Sequence, residues 1–326
     1  MILDLEIPWV EKYRPQNFDE IVSQSIAINS LKDFVKSGNM PHMIFTGPAG
    51  TGKTSTALII AKKMLKGERF YTDLLELNAS DTVRMDFVRS VIKDFVNQRM
   101  IIEESSLKIV ILDEADNIPN QVQQALRRII EKASNKVKFI LMCNYINQII
   151  DPIISRCAVF RFVNLTKEKI VERLKYIVKQ ENLPIPDNKA DIFFETLYFI
   201  SGGDLRKAIN TLQMSVALEL LDNLDFDEVL KISGFVDQKT LEKFIEVVQA
   251  KDFKSARNIL NSIESFDSRN FIRQLIGIIP RINFDPKKVL QLRTFFGDID
   301  FRISQGADEQ IQILAIIAEI INLVIK

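Results

Sequence analysis

Gly47-Pro48-Ala49-Gly50-Thr51-Gly52-Lys53-Thr54 is the stretch on which the reading of this chain turns. Its spacing, G-x-x-x-x-G-K-T, matches a phosphate-binding loop, and the flanks agree. The apolar run Met43–Gly47 reads as a strand, and Thr54–Lys66 reads as a helix. Glycines at these positions let successive backbone N–H groups curl around phosphate oxygens, and the following helix N-terminus adds favourable partial charge. Lys53 is suited to neutralise β- and γ-phosphates, and the Thr54 hydroxyl to ligate Mg2+. The expected nucleotide-contacting stretch is therefore Gly47, Gly50, Thr51, Gly52, Lys53, Thr54 and Ser55.

Outward from the loop, short apolar runs alternate with helical patterns. Leu74–Ala79, Ile109–Glu114, Phe139–Asn144 and Val159–Phe162 are rich in Ile, Val, Leu and Phe on both faces, as buried parallel strands require. Met85–Arg99 and Gln121–Ala133 read as helices between them. Strand–helix alternation of this kind predicts an α/β domain with a parallel five-stranded sheet. The run Ile109–Glu114 ends in acids, and a buried strand delivers such carboxylates beside the phosphate loop. Asp113 is suited to hold Mg2+ through water, and Glu114 to orient and polarise an attacking water. The two motifs together indicate a nucleoside triphosphatase. They do not say what the hydrolysis drives.

Beyond about Asn164 the strand pattern stops. Lys167–Glu181, Ala190–Ser201 and Leu205–Leu221 read as amphipathic helices, followed by Gln238–Ala250, Phe253–Ser262, Ser268–Ile279, Pro286–Gly297 and Asp308–Ile325. The simplest partition is an α/β nucleotide-binding domain over 1–163, a small helical domain over 164–231 and an all-α domain over 232–326.

Composition narrows the class. The 326 residues carry 43 basic and 43 acidic side chains, so binding of nucleic acid through sheer basicity is excluded, although a locally basic surface is not. Two cysteines, Cys143 and Cys157, cannot build a four-cysteine zinc site or a disulfide framework, and they fit a reducing compartment. His42, the only histidine, is expected just before the first strand and lacks a nucleophile or ligand partner. The N-terminal segment has acids where a leader peptide would have basic residues, and the apolar run Ile311–Ile325 is interrupted by Glu319 and Asn322. A soluble intracellular protein without membrane contact is expected.

Several separated motifs resemble those of the replication factor C small subunits, sliding-clamp loaders within the AAA+ ATPases. Pro8-Trp9-Val10-Glu11-Lys12-Tyr13-Arg14-Pro15 is similar to the family's N-terminal box. Asn78-Ala79-Ser80-Asp81, Asp113-Glu114-Ala115-Asp116 and Gln123-Gln124-Ala125-Leu126-Arg127-Arg128 match further boxes. Cys143-Asn144-Tyr145 resembles the sensor-1 motif, Ser155-Arg156-Cys157 the SRC motif, and Gly203-Asp204-Leu205-Arg206 the start of the sensor-2 box. The resemblance implies that ATP is the nucleotide, that Val10, Tyr13 and Arg14 pack on the adenine, and that Asn144 helps position the lytic water. It implies also that Arg206 reaches the γ-phosphate from a lid helix, and that Arg156 serves as an arginine finger in a neighbouring subunit's site. Lys53, Glu114, Asn144 and Arg156 form the implied catalytic set, with Mg2+ at Thr54 and Asp113.

The same resemblance implies a hetero-oligomeric ring, a pentamer of further small subunits with a replication factor C large subunit. That ring would load a PCNA-like sliding clamp onto primer–template DNA, in the cytoplasm of an archaeon or the nucleus of a eukaryote. The 232–326 helices would form its collar. Arg84, Arg89 and Lys93 would face DNA, although Arg84 stands one position from the family's usual arginine, a rotation of about 100° if helical. Two other readings compete: a nucleotide-binding scaffold, and a different AAA+ machine such as an initiator or a junction-migration helicase. The latter would carry a winged-helix domain with a β-hairpin and a basic recognition helix, which the near-neutral all-helical 232–326 pattern disfavours.

Overall fold

The computed structural model describes residues 7–65, 67–79, 85–97, 107–133, 137–221, 224–263, 266–279 and 285–324, with 85–89 described by backbone alone. These residues form two compact units, one from 1–182 with 201–213 and the other from 183–200 with 214–326.

The first unit holds helices α1 (Trp9–Lys12) and α2 (Ser25–Ser37), strand β1 (His42–Thr46), α3 (Lys53–Met64), α4 (Arg69–Thr72), β2 (Leu74–Asn78), α5 (Met85–Asn97) and β3 (Lys108–Asp113). After these come α6 (Asn120–Ala133), β4 (Val137–Cys143), α7 (Asp151–Ile154), β5 (Cys157–Arg161) and α8 (Lys167–Gln180). The strands form one five-stranded sheet in the order β2-β3-β4-β1-β5, every pair parallel. Successive side chains alternate faces, which explains why both faces had to be apolar. Met43 and Phe45 of β1 pack with Ile111, Ile140 and Phe160 against α2 and α3. Ile44 packs the other way, with Val110, Leu141 and Leu126 and Ile130 of α6. Met43, Ile44 and Phe45 are wholly buried, each contributing about 1.5–3 kcal/mol relative to exposure.

The chain passes between the two units three times, after Asn182, at the end of α9 (Asp187–Ser201) and within α10 (Leu205–Ala217). The second unit continues with α11 (Phe226–Ile232), α12 (Gln238–Gln249), α13 (Phe253–Asn261), α14 (Ser268–Ile278), α15 (Pro286–Ser304) and α16 (Glu309–Leu323). Each helix from α11 onward is opened by an aspartate whose carboxylate accepts from a first-turn N–H: Asp225, Asp237, Asp252, Asp267, Asp285 and Asp308. Such caps are worth about 1 kcal/mol apiece. Phe244, Phe271, Phe296, Ile316 and Ile317 form the centre of the core over α12–α16.

Two sequence expectations are corrected. The helix expected to stop at Gly297 continues through it to Ser304. Gly297 is exposed, and a Cβ there would meet open space, so it costs about 1 kcal/mol of propensity without a packing role. Leu292, Phe296, Ile299 and Ile303, buried on the opposite face, carry the helix past it. His42, expected ahead of the first strand, is instead its first residue and is buried. Its Nδ1 accepts the Phe139 backbone N–H at 3.1 Å, and its Nε2 has no hydrogen-bond partner.

Burial, assisted by the Lys138 ammonium, pushes the His42 imidazole down to about 4. The unfolded chain takes up this proton first as the pH falls below about 6.5, so the stability contributed is full above that value and is lost on the way down to about 4. Between pH 6.5 and 5 the loss amounts to about 2 kcal/mol. Urea unfolding of the wild type should show this fall, and His42→Gln, which keeps an acceptor for Phe139 but cannot titrate, should flatten it. An equal fall in both proteins would assign the pH dependence elsewhere.

Candidate nucleotide site

The site lies wholly within the first unit, at the carboxyl ends of β1, β3 and β4. At two places in the loop leaving β1 a side chain would collide with its surroundings. Gly47 has φ +145, and a Cβ on it would fall 2.0 Å from the Phe162 carbonyl oxygen. Gly50 has φ +67, and its Cβ would fall 1.7 Å from Oδ1 of Asp204, which caps α10 by accepting the Lys207 N–H at 3.1 Å. The loop is thereby pressed against the start of α10, which carries Arg206.

Lys53 opens α3 with its side chain folded back over the loop. Its Nζ donates to the carbonyls of Gly47 at 2.6 Å and Pro48 at 2.8 Å, and to Oδ1 of Asn144 at 3.1 Å. Burial pulls the Lys53 ammonium below its usual range and nearby Arg206 adds to the effect, while Asp113 opposes it. A half-desolvated ammonium beside a second cation favours an incoming anion. Thr54 Oγ1 donates to Oδ2 of Asp113 at 3.0 Å. Glu114 follows in the left-handed region, φ +52, a conformation that costs about 1–3 kcal/mol away from glycine. Its N–H donates to Asp113 Oδ1 at 2.8 Å, and its Oε2 accepts from Asn117 Nδ2 at 3.2 Å. Asp116 Oδ2 accepts the backbone N–H groups of Asn144 at 2.9 Å and Tyr145 at 3.2 Å, which fixes the turn carrying the Asn144 amide.

α1 supplies the other wall. Val10, Tyr13, Arg14 and Pro15 line the cleft together with Ile21 and Val22. The Tyr13 hydroxyl donates to Oε1 of Glu181, at the end of α8, and Lys12 Nζ reaches the same oxygen at 2.6 Å. Burial and then the Glu181 bond raise the Tyr13 phenol well above its usual range. Arg173 of α8 donates to the Tyr13 carbonyl at 2.8 Å.

Of the expected site residues, Val10, Tyr13, Arg14, Gly50, Thr51, Gly52, Lys53, Thr54, Ser55, Asp113, Glu114, Asn144 and Arg206 all line this one cleft. Gly47 enters through its carbonyl, bound by Lys53. Arg156 is not among the lining residues; it is half-exposed after α7 and paired with Glu131. Of the expected DNA-facing residues, Arg84 and the Arg89 side chain lie outside the described residues, as do Ser80 and Asp81, whereas Lys93 is exposed on α5. Leu165 and Arg173 line the cleft without having been singled out, since they belong to no short motif; Leu205 and Ile209 also line it, from the sensor-2 box, although only Arg206 of that box was expected to touch nucleotide.

The donor set fits magnesium. Thr54 and Asp113 are hard oxygen ligands already in contact, and among the described residues no cluster of three or more His, Cys, Asp or Glu could hold a metal unaided. A cation that completes its shell with phosphate oxygens and water suits such a site.

Comparison with known proteins agrees. Residues 43–165 match the model of the ATPase family associated with various cellular activities (AAA), and residues 236–319 match the replication factor C C-terminal domain. A replication factor C small subunit of Sulfurisphaera tokodaii is 40% identical over 98% of this chain and 97% of its own length. Replication factor C small subunit 1 of Pyrobaculum islandicum is 39% identical over 97% and 94%. The chain belongs to the replication factor C small subunit family. The RuvB Holliday junction branch migration motor of Thermotoga maritima superposes with a TM-score of 0.52 at 20% identity, covering 72% of this chain and 79% of that one. That likeness shows the AAA fold alone. The family's C-terminal domain is helical here, and among the described residues of the second unit there is no strand. No described helix is long and apolar enough to cross a membrane.

The contact between Gly50 and Asp204 gives a direct test. Gly50→Ala should destabilise the first unit by about 1–3 kcal/mol and abolish the thermal stabilisation that added nucleotide produces. Gly50→Ala with Asp204→Ala should lose less than the sum of the two single changes, because the second removes part of the obstruction. Strict additivity in thermal unfolding would mean that the loop and the α10 cap are independent.

Proposed function

We propose that this chain is the ATP-hydrolysing small subunit of a clamp-loader ring that opens a PCNA-like sliding clamp and loads it onto primer–template DNA. The observation that carries the reading is the separation of Arg156 from a cleft that otherwise assembles the expected hydrolytic set. A guanidinium that does not line its own chain's site and keeps about one-third of its side chain exposed can serve a neighbour's. Full-length kinship with replication factor C small subunits supplies the rest.

In this reading ATP draws Lys53 Nζ from the Gly47 and Pro48 carbonyls onto its β- and γ-phosphates. Thr54 and Asp113 hold magnesium, which when bound offsets phosphate charge. The Glu114 carboxylate, tethered by Asn117, orients the attacking water and accepts its proton, with the Asn144 amide steadying the same water. Arg206, at the first turn of α10, follows the γ-phosphate and ties the lid to ATP occupancy. Tyr13, Arg14 and Val10 hold the adenine. Arg156 of a neighbouring copy meets the charge on the transferring phosphoryl group, an effect worth roughly 10³–10⁵ in rate where arginine fingers have been measured. The large subunit, the clamp and DNA act only so far as they favour the closed ring over the open one. The segments 1–163, 164–231 and 232–326 are the proposed ATPase, lid and collar.

Arg156→Ala should lower kcat by roughly 10³-fold in the assembled ring while nucleotide affinity holds. Lys53→Ala and Arg156→Ala chains should each be inactive alone yet recover ATP hydrolysis when mixed, because one donates the finger and the other the site. Full activity of Arg156→Ala, or a silent mixture, would overturn the trans assignment. Persistent DNA-stimulated hydrolysis by the wild type would exclude a purely scaffolding role.

A further inference from the structure

Arg156 does not hang free. Its Nη1 donates to the Pro152 carbonyl of α7 at 2.7 Å and to Ser155 Oγ at 3.2 Å, and its Nη2 reaches Oε1 of Glu131 at 2.5 Å. A guanidinium has five N–H donors, so these three bonds leave two for an oxyanion. The anchors come from α6 and α7, which pack into the same core beneath the sheet through Leu126, Ile130 and Ile153. The frame around the arginine is therefore rigid, although the arginine itself is about one-third exposed.

Glu131 Oε1 also accepts Arg127 Nε at 3.0 Å. Two guanidiniums on one carboxylate leave a net positive charge, so the anchor orders Arg156 without cancelling its attraction for phosphate. Both arginines, Arg127 foremost through its hydrogen bond, hold the Glu131 carboxyl below its usual range. An ion pair serving only the helix would need Arg127, one turn away, and not Arg156 from another element.

We propose that Glu131 is a positioning residue for Arg156, holding its guanidinium in the orientation a neighbouring subunit's phosphate meets and so removing the cost of ordering that side chain during hydrolysis. This rests on the reading of Arg156 as a trans-acting finger. An arginine tethered at Pro152, Ser155 and Glu131 presents its two remaining N–H groups as a fork, the geometry that suits a phosphoryl group. Without Glu131 the same arginine samples many rotamers, and Arg127 stands beside it as an uncompensated like charge.

The test is steady-state ATP hydrolysis in the ring reconstituted from full-length chains. Glu131→Ala should lower kcat about tenfold, the equivalent of ~1.4 kcal/mol, with KM for ATP unchanged. Glu131→Asp should recover part of the loss, and Arg127→Ala should cost less than Glu131→Ala. In an Arg156→Ala background, adding Glu131→Ala should change nothing further, because the two act through one group. A kcat unchanged or raised by Glu131→Ala, or the same tenfold loss in the Arg156→Ala background, would overturn the proposal. If Arg156→Ala were itself fully active, the finger reading would fail instead, which keeps the two failures apart. Matched melting temperatures across the variants would separate positioning from loss of fold.

Discussion

Five parallel strands share one carboxyl edge, and everything this chain does with a nucleotide depends on that edge. β1 lies between β4 and β5, so the loop that leaves it passes between the ends of both neighbours. The Gly47 N–H donates to the Cys143 carbonyl at 3.2 Å, and the Phe162 N–H donates to the Thr46 carbonyl at 2.8 Å. The ladder thus continues a residue beyond the strands, and it holds the loop against backbone on both sides. A side chain on Gly47 has no place to go for that reason. One strand further on, β3 ends at Asp113 beside Thr54, and β4 ends where Asn144 meets Lys53. Three strand ends, brought together by sheet order alone, put a cation, two carboxylates and an amide within one cleft.

The electrostatics of that cleft are deliberately unfinished. Lys53 is kept by loop carbonyls and an amide oxygen, which satisfy its donors but supply no full negative charge. Asp113, the nearest carboxylate, is engaged with Thr54 and the Glu114 N–H. Burial holds the Lys53 ammonium below its usual range, and an anion brought against it favours the charged form. On the opposite wall the Tyr13 phenol and Lys12 converge on Glu181, which ties the end of α1 to the end of α8.

Much of this was legible in the sequence, and the reasons are physical. Strands buried on both faces must be continuous apolar runs, so all five were visible to within a few residues. Phosphate chemistry demands a fixed glycine spacing, so the loop was visible too. Short helices were not. Trp9–Lys12, Arg69–Thr72, Asp151–Ile154 and Phe226–Ile232 span a single turn or two, too few residues to show a 3.6-residue period. Gly297 misled because propensity favours a break there, while four buried side chains on the other face outweigh it. Leu165 and Arg173 reach the cleft only through the path of the chain into and along α8, and no local pattern announces such residues. Glu131 escaped for a related reason: its meaning lies in Arg156, an exposed residue from a different element.

Balanced charge now acquires a structural sense. With 43 basic and 43 acidic side chains there is no long-range field to gather a polyanion, and isolated surface pairs such as Lys169 with Glu172 add little. What acts is local. Within a Debye length of about 8–10 Å, the cluster of Arg127, Arg156 and Glu131 carries a net positive charge. A strongly basic chain would attract nucleic acid and phosphate everywhere on its surface, and copies of it would repel one another. A neutral chain can still present excess positive charge locally, where two guanidiniums share one carboxylate. Neutrality overall is thus compatible with anion recognition in particular places, because burial and pairing, rather than composition, decide which charges count.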